Sequence, residues 1–245
     1  MIIACTVWTP RKVSPTLTAN SHLAVQGVDA HVWLNNGGGV ALNDSLRSLA
    51  VGASRPVFLF SASSRLPIAR SHNQCLRVAS EKWQDADYLV LQDDVIPAVD
   101  SAVKLAASAY DIPGGFSRTR PESTRNRQRF GFRVIALAQM LIRNRVFKDL
   151  GYHDELFWRG VDSEYCVRAG IAGFSVGFED GVYFDNAGRH GHAEANTTDA
   201  ERMYEHSRAQ LIWMKKNGLL DMPFREPLKY QNVRPVVFTE PEAIA

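Results

Sequence analysis

Two acidic groups stand out by residue type and setting. Gln92-Asp93-Asp94 follows directly on the apolar run Tyr88-Leu89-Val90-Leu91. Adjacent carboxylates at the end of a buried strand are costly unless something neutralises them. A hard divalent cation is the natural partner, because Mg²⁺ takes one or two carboxylates together with phosphate oxygens. The plainer reading is a solvated cap, with Asp94 starting the turn at Val95-Ile96-Pro97. Asp162-Ser163-Glu164 opens a helical run that ends near Arg168-Ala169-Gly170. A carboxylate there serves as a cap favoured by the helix dipole. Beside a phosphate-metal candidate it is also a candidate general base.

Other residues carry weaker signals. His190-Gly191-His192 offers two imidazoles to a metal, or is a surface loop, and its spacing is not a zinc pattern. Between Phe116 and Arg133 the chain holds Arg118, Arg120, Arg125, Arg127, Arg129 and Arg133 against one acid, Glu122. Such a run binds phosphates or nucleic acid, or is a solvated loop. No RNA-binding signature accompanies it, which favours the loop, and a lid on an anionic ligand lies between these readings. Gly37-Gly38-Gly39 lacks the Lys-Ser/Thr of a P-loop and reads as a turn.

The elements that must position these residues alternate. Strands are expected at Ile2 to Trp8, His31 to Leu34, Pro56 to Phe60 and Tyr88 to Leu91, and helices at Asn20 to Gly27, Ala41 to Ala50, Ile68 to Trp83 and Asp100 to Tyr110. Pro113-Gly114-Gly115 is expected to end the last of these. Val134 to Ile142 is apolar and fits strand or helix. Beyond it come a short helix with a glycine stop (Phe147 to Tyr152), a helix (Val161 to Ala169), a strand (Phe174 to Phe178) and a long helix (Asp199 to Asn217). The alternation predicts βαβ units, a mostly parallel central sheet flanked by helices, and a ligand site beyond the carboxyl ends of the strands. Asn35 and Asp93-Asp94 fall there. Residues 1–218 are expected to form one domain. Residues 219–245, with Pro223, Pro227, Pro235 and Pro241, read as a tail that drapes over the domain or pairs with a partner, which leaves a homodimer open.

Composition narrows the class. The chain has 245 residues, 45% hydrophobic and 22% charged, so it is neither disordered nor fibrous. A net charge of +2 gives no global attraction to nucleic acid or membrane. Cys5, Cys75 and Cys166 are far apart and odd in number, which argues against a disulfide framework. With no signal-like start and no apolar run of about 18 residues, a cytoplasmic protein without a membrane segment is expected.

In order, these pieces resemble the inverting, family-2-like glycosyltransferases of the GT-A fold, rhamnosyltransferase-like members in particular, over roughly residues 1 to 195. The first strand with Thr9 resembles the start of the family's nucleotide site. His31 to Gly37 is similar to its strand ending in Asp-Asn-Gly-Ser, with Asn35 in place of the base-reading Asp. Pro67 to Leu76 resembles its Gly-rich helix start, with Asn73 at the recurring asparagine and Pro67 at a usual glycine. Tyr88 to Pro97 looks like the strand and DxD motif, with Gln92 in place of the first Asp. Leu156 to Gly173 looks like the acidic catalytic segment.

The resemblance implies a GT-A type nucleotide-diphospho-sugar transferase fold and a metal-dependent, hexosyltransferase-like enzyme. Its donor would be a nucleotide-sugar and its acceptor a hydroxyl of a glycan, protein or small molecule, with no nucleic acid as partner. It implies Mn²⁺ or Mg²⁺ held by Asp94 with His190 or His192, and a donor site of Thr9, Asn35, Arg70, Asn73 and Asp93. Asp162 is implied as the base. The departures at Gln92 and Asn35 keep an alternative open, a catalytically degenerate nucleotide-sugar-binding protein of the same fold.

Overall fold

The computed structural model describes residues 1–10, 15–118, 128–129, 131–155, 160–187, 216 and 236–244. The first strand, β1 (Ile2–Trp8), is buried along its whole length, as an unbroken apolar run in a parallel sheet should be. It pairs in parallel with β2 (Ala30–Asn36) on one side and β4 (Asp87–Gln92) on the other. β3 (Val57–Ala62) extends this parallel block beyond β2. The other half of the sheet is mixed. β9 (Gln139–Ile142) lies antiparallel between β4 and β6 (Ile112–Ser117). β10 (Val176–Asn186) runs parallel to β6 and antiparallel to β5 (Val95–Pro97). With β11 (Glu242–Ile244) at one edge, the order is β11-β3-β2-β1-β4-β9-β6-β10-β5, and a two-stranded ribbon, β7 (Gln128–Arg129) with β8 (Phe132–Arg133), stands apart.

Alternation along the strands sorts the core into layers. Ile3, Cys5, Val7, Val32 and Leu34 pack with Cys75, Leu76 and Ala79 of α3 (Ile68–Lys82). On the other face, Trp8, Trp33, Val57 and Leu59 pack with Ala19 of α1 (Thr16–Leu23) and with Leu46 and Ala50 of α2 (Gly39–Ala50). Beside them Ile2, Ala4, Leu89 and Leu91 meet Ala102 and Leu105 of α4 (Ser101–Ala107). A further cluster joins Val90, Ile112 and Met140 to Val146 of α5 (Asn144–Leu150) and to Val161, Tyr165 and Cys166 of α6 (Val161–Ile171).

Several elements differ from expectation. α1 begins and ends about a turn early, because Val25 and Val28 turn into the core and Gly27 takes a positive φ of 81°. Pro113-Gly114-Gly115 is not a helix stop but the middle of β6, buried throughout. Glycine is needed there, since a Cβ on Gly114 would stand 2.8 Å from Ile135 Cδ1 and one on Gly115 would meet the Gln139 amide. Gln139–Ile142 settles the open segment as strand over those residues. Within the tail, β11 (Glu242–Ile244) pairs antiparallel with β3, and Phe238 bridges Ala62, so this stretch closes an edge of the chain's own sheet. The expected helix from Asp199 to Asn217 lies outside the described residues apart from Lys216.

Candidate functional site

Because β1 to β4 are parallel, their carboxyl ends meet on one edge. The register sets Val7 against Gln92, Trp8 against Asn35, and Asn35 against Ser61. Asp93 therefore emerges beside Trp8 and Thr9. Its Oδ2 accepts the Thr9 amide at 2.9 Å and the Thr9 hydroxyl at 2.7 Å. Asp93 is buried and Asp94 is half-buried. The Ala187 amide donates to the Asp94 carbonyl at 2.8 Å, and Val95 pairs with Asn186 of β10. On the other side, the His22 imidazole of α1 reaches the Val95 carbonyl at 2.9 Å. The turn bearing both carboxylates is thus tied to β1, β10 and α1.

The next loop is built from amides. Asn35 Oδ1 accepts the Gly38 amide and its Nδ2 donates to the Gly39 carbonyl, both at 2.8 Å, which closes the Gly-rich turn at the start of α2. Asn36 exchanges two hydrogen bonds with the backbone of Leu66. Gly37, at φ 76°, lies so close to the 64–65 backbone that a Cβ would stand 2.5 Å from the Arg65 nitrogen. The loops after β2 and β3 are therefore locked together.

Asp162 stands in the first turn of α6, behind Gly160 in the left-handed region. Its Oδ1 accepts the Ser163 amide at 2.8 Å, and the side chain is half-buried. Glu164 is buried and paired with Arg168 at 2.7 Å, and its other oxygen accepts the Asp154 amide. Burial pushes the Glu164 carboxyl up, and the Arg168 guanidinium opposes that rise. Arg168 also donates to the Leu150 and Tyr152 carbonyls, and the Tyr165 hydroxyl to the Gly151 carbonyl. From α3, Asn73 clasps both backbone groups of His153, while Arg70 pairs with Glu155 at 3.0 Å. The His72 and His153 rings pack edge-on at 6.3 Å, both buried. Burial holds the His72 imidazole down at about 4, and the His153 imidazole well below its usual value.

The structure brings Thr9, Asp93, Asp94 and Asn35 to one sheet edge, and Arg70 and Asn73 to the junction of α3 with the segment leading to α6. His190 and His192 lie outside the described residues. Among the described residues no group of three or more His, Cys, Asp or Glu side chains converges as a metal cage. Sequence reasoning missed His22, Asn36 and the anchoring ion pair Glu164–Arg168. The last has a signal in its i, i+4 spacing. The first two have none, because the Val95 carbonyl and the Leu66 backbone that they meet lie far away in sequence.

No protein-family model matches the chain, and no curated protein sequence matches it. Solved structures do match. A mannosyltransferase from Pyrobaculum calidifontis, in complex with GDP-mannose and Mn²⁺, aligns with TM-score 0.63 at 14% identity over 90% of this chain and 65% of that one. TarS from S. aureus aligns with TM-score 0.61 at 12% identity over 87% of this chain and 65% of that one. Glucosyl-3-phosphoglycerate synthase from Mycobacterium tuberculosis, in complex with Mn²⁺, UDP-glucose and phosphoglyceric acid, aligns with TM-score 0.53 at 15% identity over 90% and 80%. This chain spans 65% of the length of the first two. At such identities the likeness is one of fold, and the fold is the GT-A type. Among the described residues no helix is long and apolar enough to cross a membrane.

Proposed function

We propose that this chain is an inverting, metal-dependent glycosyltransferase that moves a sugar from a nucleotide-diphosphate donor to an acceptor hydroxyl of a glycan, protein or small molecule. The observation that carries the reading is the Thr9–Asp93 anchor at the carboxyl edge of the parallel block. Two hydrogen bonds from Thr9 orient the Asp93 carboxylate, and Asp94 follows at the same turn. That donor set fits Mn²⁺ or Mg²⁺, which bind through one or two carboxylates plus phosphate oxygens rather than in an all-protein cage. Asp94 would hold the ion with Asp93 beside it. His190 or His192 would join, three residues or more beyond Ala187, whose amide is bonded to the Asp94 carbonyl. When bound, the ion supplies neutralisation of the diphosphate leaving group.

The chain's own residues supply the rest. Asn35 and Asn36 shape the loops over β2 and β3 that face the nucleotide. Asn73 holds the 151–155 segment, and Arg70 presents a guanidinium beside it to the donor phosphates. Asp162 takes the proton of the acceptor hydroxyl as that oxygen attacks the anomeric carbon from the face opposite the diphosphate. The glycosidic bond forms as the bond to the diphosphate breaks, and the anomeric configuration inverts. The Glu164–Arg168 pair serves as the footing of the base.

The test is release of free nucleoside diphosphate from a panel of UDP-, GDP- and dTDP-sugars, with Mn²⁺ and with a chelator. Turnover of at least one donor, abolished by the chelator, is expected. Binding of a donor with no release under any condition would overturn the catalytic reading in favour of a nucleotide-sugar-binding protein.

A further inference from the structure

We propose that His22 is a positioning residue for the Asp93–Asp94 turn, acting through the Val95 carbonyl; the inference rests on the reading of that turn as the metal-nucleotide site. A backbone carbonyl only accepts, so the 2.9 Å contact requires the proton on His22 Nε2. Nδ1 then presents its lone pair, 3.3 Å from the Thr6 hydroxyl of β1, which donates to it. Both ring nitrogens are engaged in one neutral tautomer. The ring is buried and packs 5.4 Å from Trp8. Burial pushes the imidazole down to about 4, against the opposing effects of the Val95 bond and the Asp94 charge.

The consequence lies in what the bond joins. Val95 is the residue after Asp94, and β5, which it opens, is only three residues long and hangs on β10. Thr9 fixes the Asp93 side chain, and Ala187 fixes the Asp94 carbonyl. His22 supplies a third tie, and the only one of these from a helix, reaching 73 residues along the chain. These ties, with the pairing of Val95 to Asn186, act on the turn from different directions. Removing the helical one takes away the support of the Val95 carbonyl from the α1 side.

Two substitutions separate this from a role in folding alone. His22→Gln places an amide donor near the Nε2 position, and His22→Asn places one near Nδ1. The readout is calorimetric binding of Mn²⁺ with UDP and with GDP, alongside thermal unfolding. His22→Asn is expected to weaken the Mn²⁺-nucleotide complex about tenfold, as loss of an orienting hydrogen bond behind a ligand does. His22→Gln is expected to recover most of that loss. In an Asp94→Asn background, where binding is already lowered, His22→Asn is expected to add nothing further. Equal binding by the two His22 variants, or an undiminished effect of His22→Asn without Asp94, would overturn the positioning role. If Asp94→Asn alone binds Mn²⁺-nucleotide like the unaltered chain, the site reading fails first and this inference with it.

Discussion

The two acidic regions are built alike and differ in the group that anchors the buried acid. Each holds a buried acid next to a half-buried one, Asp93 with Asp94 and Glu164 with Asp162. At the sheet edge, Asp93 is held by an amide and a hydroxyl of Thr9. At α6, Glu164 is held by a guanidinium that also grips two backbone carbonyls. Neutral donors orient a carboxylate and leave its negative charge in place, whereas an ion pair cancels it. The first region is thus anchored through Thr9, and the second through an ion pair. The second sets Asp162 in the first turn of a helix that the Glu164–Arg168 pair fixes one turn on.

The largest expected effect separates the half-buried acids. Asp162→Asn should lower turnover about 10³-fold while leaving Mn²⁺-nucleotide binding unchanged, since the loss of a general base costs roughly 10²–10⁴-fold. Asp94→Asn should do the reverse in binding, weakening the Mn²⁺-nucleotide complex. Nucleotide release and calorimetry on both variants would break the contrast if the two behaved alike.

The buried acids should part company in stability. Glu164→Ala leaves the Arg168 guanidinium without its partner and should cost about 3 kcal/mol in urea unfolding. Thr9→Val removes one of two hydrogen bonds to Asp93 and should cost about 1 kcal/mol. Equal losses would mean that the ion pair is not the stronger anchor.

Acid should probe the same frame. His72 and His153 are held neutral by burial beside α6, His72 at about 4 against an ordinary 6.5. Between those values the unfolded chain takes up a proton that the folded chain refuses, so stability falls as pH drops through the window and is flat above 6.5. Each such group contributes at most about 1.4 kcal/mol per pH unit. A flatter stability–pH curve for His72→Leu than for the unaltered chain is expected, and an unchanged curve would contradict the buried neutral state. Smallest of all should be Arg47→Ala, which breaks the exposed pair with Glu242 between α2 and β11. Its melting temperature should match that of the unaltered chain, because exposed pairs contribute little.

Much of this was legible in sequence. The apolar runs of β1 and β4 announce parallel strands because both faces are buried, and the polar residues that follow, Thr9 and Asp93, must fall at their ends. The sequence by itself determined the alternation of strands and helices and which acids fall at the strand ends. Only the tertiary structure decided what those side chains do. That Asn73 is engaged by the backbone of His153, that Pro113-Gly114-Gly115 is strand because it pairs with β10 and β9, and that His22 reaches Val95, all depend on contacts between distant residues. Local periodicity reports which face of an element is apolar. It carries no information about which backbone group a buried amide or imidazole will meet across the fold.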